Sequence, residues 1–291
     1  MNDRFKTNIT GWIFVGVAAT MISLFYFYPM IQAFLLSLQS GSGTNLSFVG
    51  LDNYKRVFTD STFIAAFKNT FIFLLVQVPI MIILGLFLSV LLNDSTLKFR
   101  GFFRIAIFLP CVTSLVAYSV IFKDLFAIDG IVNKLLIQFS LIPEAIHWLT
   151  DPLWAKVTII IAITWRWTGY NMIFYLSALQ NVDRSIYEAA KIDGASAFQQ
   201  FFRITIPMLK PIILFTSITS TIGTLQLFDE VMNITKGGPG NATTSISQYI
   251  YNLSFKYTPD FGYAATVSYF VVVIIVVFAA IQFKLGSDKN D

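Results

Sequence analysis

Between Tyr263 and Phe283 the chain runs for 21 residues without a charged side chain, with Val271-Val272-Val273-Ile274-Ile275-Val276-Val277 at its centre. As a helix rising about 1.5 Å per residue, such a stretch covers the roughly 30 Å hydrocarbon core of a bilayer. Five other apolar stretches are long enough to do the same, near Gly11–Leu36, Thr70–Leu92, Ile105–Phe122, Val157–Leu179 and Ile212–Met232. In lipid every backbone polar group must be satisfied internally, so each span reads as a helix. The expected fold is all-α, a polytopic membrane protein of six transmembrane helices forming a single domain over residues 1–291. Pro29 and Pro79 predict kinks in the first two spans, and Pro110 falls inside the short third one. The first stretch is too long for a cleaved signal and lacks a small-residue cleavage pattern.

Composition agrees. Of 291 residues 56% are hydrophobic and only 12% charged, with mean hydropathy +0.69. That charge is about half of the roughly 25% usual in soluble chains. Thirty Phe residues suit a lipid-facing surface. A single Cys, Cys111, excludes a disulfide framework or Cys-rich metal site, and a single His, His147, excludes His-pair sites and His-based triads. The net charge of +4 is spread along the chain and gives no nucleic-acid footprint.

Orientation follows from Lys and Arg placement. With the N-terminus inside, Arg4, Lys6, Lys98, Arg100, Arg104, Arg184, Lys191, Arg203, Lys210, Lys284 and Lys289 face the cytoplasm. The outer loops are longer and hold Lys55, Arg56, Lys68, Lys123, Lys134, Lys156, Lys236 and Lys256, so basic density is about twofold higher inside. Both termini are then cytoplasmic. The outer loops carry Gly41-Ser42-Gly43, His147 with Trp148 and Trp154, and Gly237-Gly238-Pro239-Gly240. The sequon at Asn241 reads as a chance match.

No energy source is visible. The chain has no Gly-x4-Gly-Lys-Ser/Thr phosphate loop, no H-E-x-x-H and no G-x-S-x-G. Ion-coupled carriers bury carboxylates in several spans, whereas here only Asp229 and Glu230 stand near the outer end of the fifth. Either the energy comes from another subunit or nothing is pumped.

The inner segment 183–210 is more than a connector. Ser185-Ile186-Tyr187-Glu188 and Ser196-Ala197-Phe198-Gln199 both fit capping boxes, and Asp193-Gly194 between them is a turn pair. Pro207 and Pro211 close the segment, which reads as helix, tight turn, helix and re-entry into the bilayer. Taken alone, this is also the pattern of an amphipathic hairpin packed under its own bundle, with Phe198, Phe201 and Phe202 as its apolar face.

The full string is more specific. Glu188-Ala189-Ala190, three residues, Gly194, nine residues and Ile204-Thr205-Ile206-Pro207 resembles the EAA loop of bacterial ABC-importer permeases, with Ile206 in place of the usual Leu. Trp165-Arg166-Trp167-Thr168-Gly169-Tyr170-Asn171 and Gly237-Gly238-Pro239 extend the likeness to the sugar-permease branch, similar to the larger maltose permease subunit. The resemblance implies a type I importer permease fold in the bacterial cytoplasmic membrane and no cofactor on this chain. The expected partners are a second, related permease, two ATPase subunits that bind the ATP, and an extracytoplasmic solute-binding protein. It also implies that Glu188, Ala189, Ala190, Asp193 and Gly194 form a coupling helix seated in a cleft of the ATPase. Glu188 would anchor it, and the two alanines would keep it slim.

Arg166 lies near the middle of the fourth span, where an Arg costs about 2.5–3.5 kcal/mol and should face a cavity or a partner. Ile163, Arg166, Trp167, Tyr170 and Phe174 share one helical face. Aromatic rings stack on sugar C–H faces, while Arg166, Asn171 and the Tyr170 hydroxyl bond sugar hydroxyls. Equally, Arg166 can pair with Asp229 or backbone carbonyls while the aromatics pack helix on helix. The resemblance places Ile163, Arg166, Trp167, Tyr170, Ser220, Gly223, Thr224 and Leu227 on sugar-contacting positions. It also places Cys111 and Leu115 there without matching residue types. Ile163 and Leu227 depart from polar residues, which argues against maltose itself. The implied function is a sugar importer, for an oligosaccharide. The alternative within transport is a polyol, glycerol-phosphate or acidic-sugar permease, with Arg166 binding an anion. A membrane-embedded enzyme would need a carboxylate or His constellation that is absent, and a channel would need no coupling loop.

Overall fold

The computed structural model describes residues 2–42 and 45–286. Among the basic residues used to orient the chain, Lys289 lies outside the described residues, as do the side chains of Arg4 and Lys6, and so does Gly43 of the first outer loop. In chain order the elements are α1 (Asn2–Ile22), α2 (Tyr28–Ser37), the strands β1 (Gln39–Ser42) and β2 (Asn45–Phe48), α3 (Asp52–Val57) and α4 (Ser61–Asn93). There follow α5 (Arg100–Val112), α6 (Leu115–Leu125), α7 (Ile131–Gln138), α8 (Pro152–Leu179), α9 (Arg184–Ile192) and α10 (Ala197–Gln200). The last are α11 (Ile206–Leu225), α12 (Ile246–Tyr251) and α13 (Phe261–Gly286). The chain forms two compact units, one of residues 1–60 and 250–270, the other of residues 61–249 and 271–291.

In the first unit, α1 and α2 are joined by a π-helical turn, Ser23–Phe27. Pro29 falls in the first turn of α2, just after this turn, so its missing N–H is absorbed without breaking the helix. Phe14 at 78% exposure and Tyr26 at 74% are side chains suited to lipid rather than to water. The strands pair antiparallel with Gln39 opposite Phe48. Asn53 Nδ2 donates to the Ser37 carbonyl at 3.0 Å and the Gln39 carbonyl at 2.8 Å, fastening α3 beneath the hairpin. Thr266 Oγ1 donates to the same Ser37 carbonyl. Arg56 pairs with Asp260 at 2.8 Å and lies over the Tyr263 ring.

The second unit is built on α4 and α8. Asp151 caps α8, accepting from the Leu153 and Trp154 amides, and Pro152 occupies the first helical position, where its fixed φ suits a helix start. Gly85 of α4 lets the helices approach, since a Cβ there would stand 3.1 Å from the Tyr175 ring. Tyr175, fully buried, bonds Thr216 of α11 at 2.6 Å. Leu74 and Val78 of α4 and Leu225 of α11 form a buried cluster, with Ile274, Ile275 and Phe278 of α13 against it.

Among the described residues four helices are long and apolar enough to cross a membrane: Phe14–Ser37, Ser61–Asn93, Ala197–Leu225 and Phe261–Gly286. The fourth stretch of the sequence is α8, whose 28 residues reach about 42 Å, but Arg166, Asn171 and its threonines dilute its hydropathy. The third stretch departs most from expectation. α5 and α6 meet at 102°, so that Ile105–Phe122 is a broken span or a re-entrant loop and not one helix. Thr113 and Ser114 are extended at the break. There the Thr113 hydroxyl returns to the Pro110 carbonyl at 2.8 Å. Length and apolarity alone thus identify four spans among the described residues, or five with the bent pair, and α8, long enough to cross, is the remaining stretch of the six read from sequence.

Segment 183–210 also differs in detail. α9 is capped by Asp183, which accepts from the Ser185 amide at 2.9 Å, so the box expected at Ser185 does not form. That backbone bond, seconded by the Ser185 side chain, holds the exposed Asp183 carboxyl below its ordinary pKa and keeps it charged at the positive end of α9. The second box, Ser196 with Gln199, is present. Pro207 and Pro211 do not interrupt the chain: residues 197–225 run as one helix through a π-helical turn at Phe201–Thr205.

Candidate functional site

A cavity of about 370 Å³ opens within the second unit among α4, α8 and α11, with the start of α6 as a further wall. This is in the range typical of small-molecule sites. Of the sugar-site residues expected from sequence, Trp167, Tyr170, Asn171, Ser220, Gly223, Thr224 and Leu227 all line it, as do Ile163 and Leu115. Their helical spacing explains the convergence, since residues three or four apart stand on one face.

The polar groups of the wall are mostly tied to one another. Thr224 Oγ1 donates to Gln77 Oε1 at 3.0 Å, and Asn171 Nδ2 donates to Ser220 Oγ at 3.3 Å. Asn171 is 1% exposed, and its Oδ1 has no hydrogen-bond partner. A buried unsatisfied acceptor costs about 1–3 kcal/mol. Trp167 meets Tyr170 edge to face at 5.9 Å. The stripe continues through Phe174, outside the cavity, to Phe215.

Arg166 is placed elsewhere. It is buried, is absent from the cavity wall, and its Nη2 donates to the Thr113 carbonyl at 3.0 Å and the Cys111 carbonyl at 3.3 Å. The Tyr118 and Trp167 rings flank its guanidinium at 5.0 and 5.5 Å. It makes no ion pair with Asp229. Its charge therefore sits at the C-terminal end of α5, where a cation complements the helix dipole and the free carbonyls. One turn away, Gly169 meets the α5 backbone directly, since a Cβ there would fall 2.1 Å from the Ile107 carbonyl oxygen. Two points of attachment thus hold α5 on α8 just before the break at Thr113-Ser114.

The wall also includes Gln77, Met81, Gln226, Asp229 and Glu230, none of them in the sequence-derived site. Gln77 carried a usable signal, a polar side chain inside an otherwise apolar span. The described residues contain no group of three or more His, Cys, Asp or Glu placed to hold a metal ion.

The coupling residues lie on the exposed surface of α9 and its turn. Glu188, Ala189, Asp193 and Gly194 are exposed and Ala190 is half-buried. Gly194 has φ +79°; its amide donates to the Lys191 carbonyl and the Ala195 amide to the Ala190 carbonyl, a Schellman closure that a glycine makes without strain. Tyr187 reaches Thr205 at 3.0 Å, linking α9 to the helix that continues into α11.

A multi-pass helical membrane protein with a polar and aromatic cavity inside its bundle has the architecture of a solute permease. The chain belongs to the family of binding-protein-dependent transport system inner membrane components, whose model matches residues 61–285. It is 58% identical over 285 residues to the lactose transport system permease protein of Rhizobium radiobacter, covering 97% of this chain and 96% of the relative. It is 35% identical over 262 residues to an arabinooligosaccharides transport system permease protein of Halalkalibacterium halodurans, with 89% and 82% covered. A trehalose/maltose transport system permease protein of Thermococcus litoralis is 32% identical over 291 residues, with 99% and 97% covered. In fold the chain matches a bacterial ABC transporter involved in the import of the acidic polysaccharide alginate, with TM-score 0.82 and 23% identity over 99% of this chain and 100% of that one. The importer permease fold expected from the EAA string is therefore present, and the chain is a transport component, not an enzyme.

Proposed function

We propose that this chain is one permease subunit of an ATP-driven importer for a sugar, an oligosaccharide of two or more units, and that the cavity beside Trp167 is part of its pathway. The observation that carries the reading is the composition of the cavity wall, where the aromatic rings of Trp167 and Tyr170 stand beside the polar side chains of Asn171, Ser220 and Thr224. Hydroxyls and C–H faces side by side are what a sugar presents. The named relatives serve lactose, arabinooligosaccharides and trehalose or maltose, which supports the class. Trp167, Tyr170, Asn171, Ser220 and Thr224 make the contacts, while Gly223 and Leu227 shape the space. Arg166 acts as the clamp of α5 and not as a sugar ligand.

The energy comes from outside the chain. Two ATPase subunits bind the ATP and receive α9, with Glu188 as the polar anchor. A second permease completes the pathway and a solute-binding protein delivers the sugar. The protein lies in the bacterial cytoplasmic membrane with both termini in the cytoplasm, as the basic residues favour. Liposomes holding only this polypeptide should neither hydrolyse ATP nor accumulate radiolabelled lactose. Adding the second permease, the ATPase and the binding protein should give ATP-dependent accumulation of at least one sugar in a neutral disaccharide panel. Concentrative uptake by the polypeptide alone would overturn the reading.

A further inference from the structure

Two carboxylates, Asp229 and Glu230, stand in the cavity wall, and no Lys or Arg does. They follow α11 directly, at the turn that leads into a π-helical segment, Val231–Thr235. Asp229 is exposed, whereas Glu230 is 4% exposed and accepts from Trp167 Nε1 at 3.4 Å. The same indole thus offers a stacking face in the cavity and fixes a carboxylate beside it. Arg166 of α8 has its Nη2 committed to the carbonyls of Cys111 and Thr113 and does not line the cavity. The groups that face the cavity are the negative ones.

We infer that Asp229, exposed in the wall beside the buried Glu230, is the specificity-determining charge of the cavity, admitting neutral sugars and rejecting those that carry a carboxylate or phosphate. The inference rests on the sugar-permease reading and deepens it. A charge in a partly dehydrated cavity acts far more strongly than in water, so a second negative charge brought alongside is opposed while neutral hydroxyls donate to the carboxylates. This decides against the glycerol-phosphate and acidic-sugar alternatives, which depended on Arg166 facing the pathway.

The substitution Asp229→Asn removes the exposed charge at unchanged size, and Glu230→Gln removes the buried acid while its amide carbonyl still accepts from Trp167 Nε1. Binding of radiolabelled neutral disaccharides, lactose first, and of their uronic-acid counterparts is measured by equilibrium dialysis on the assembled complex without the binding protein. The complex should prefer the neutral member of each pair, and Asp229→Asn should narrow that preference at least about tenfold, with Glu230→Gln narrowing it further. Equal or better binding of the acidic member by the unaltered complex would overturn the charge filter and leave the sugar reading in place. So would a preference that neither substitution moves. If the assembled complex binds no member of either set, the sugar reading itself fails, and the inference with it.

Discussion

Gly169→Val should abolish the assembled protein. The new Cβ would fall 2.1 Å from the Ile107 carbonyl oxygen and 2.9 Å from the Phe108 Cα, both backbone atoms that no rotamer change can move aside. The helices must separate, and overpacking of this kind costs about 3 kcal/mol or more. In membrane bundles, close approach at small residues is itself a source of association. The yield of folded complex should fall to below about a tenth of normal, a loss of more than about 1.4 kcal/mol in assembly. Fluorescence-detected size-exclusion chromatography measures it, and a normal monodisperse peak would contradict the α5–α8 attachment. Arg166→Met tests the second attachment and is milder. It removes charge-assisted bonds worth roughly 1.5–3 kcal/mol each. It also relieves about 2.5–3.5 kcal/mol of burying an Arg at the midplane. The two bonds together, about 3–6 kcal/mol, outweigh that relief, so the complex yield should fall, though less than in Gly169→Val. Adding Asp229→Asn should give no further gain, because the two side chains do not pair.

Gly194→Pro should uncouple ATP hydrolysis while the spans stay inserted. Pro is locked near φ −65°, whereas this position has φ +79°, and Pro also removes the amide that donates to Lys191. The turn after α9 must then re-form, and the docking face turns with it. Glu188→Ala changes only an exposed side chain, where effects on stability are usually within about 0.5 kcal/mol. Any loss in that variant therefore reports on the contact with the ATPase. Sugar-stimulated ATP hydrolysis by the purified complex should fall at least about tenfold in Gly194→Pro and severalfold in Glu188→Ala, at unchanged complex yield. Full stimulation in both variants would remove the coupling assignment.

The two kinds of pattern differed in how far they could be read from sequence. Spans defined by uninterrupted apolar runs, such as Ser61–Asn93 and Phe261–Gly286, were legible because a single physical requirement, a long apolar helix, sets their composition. The break at Thr113-Ser114 was not. Pro110 marks the region, but the carbonyl left free at the bend meets a guanidinium over 50 positions away. Pro207 misled in the opposite direction, since a π-helical turn carries the helix past it. The cavity was largely visible from helical spacing through Trp167, Tyr170, Asn171, Ser220 and Thr224. Glu230 was seen as an acidic residue near a membrane edge, but its place in the wall depends on how the chain turns after Leu225. Arg166 was conspicuous for its cost, and the sequence left open whether a ligand or the backbone met that cost. In the structure the carbonyls of Cys111 and Thr113 take its Nη2, while its Nε and Nη1 are buried without a hydrogen-bond partner.

The central claim is that the solute passes through the cavity beside Trp167. Gly223 offers a direct test, because a Cβ added there meets nothing within 4 Å and the position lines the cavity. In Gly223→Trp the new Cβ meets no packed atom and the indole is expected to fill the cavity, and the substitution costs the helix nothing, since Gly is the poorer helix former. ATP-dependent uptake of radiolabelled sugar by the reconstituted complex should fall at least about tenfold, with complex yield and basal ATP hydrolysis unchanged. Uptake at the normal rate through a complex so plugged would show that the solute takes another route.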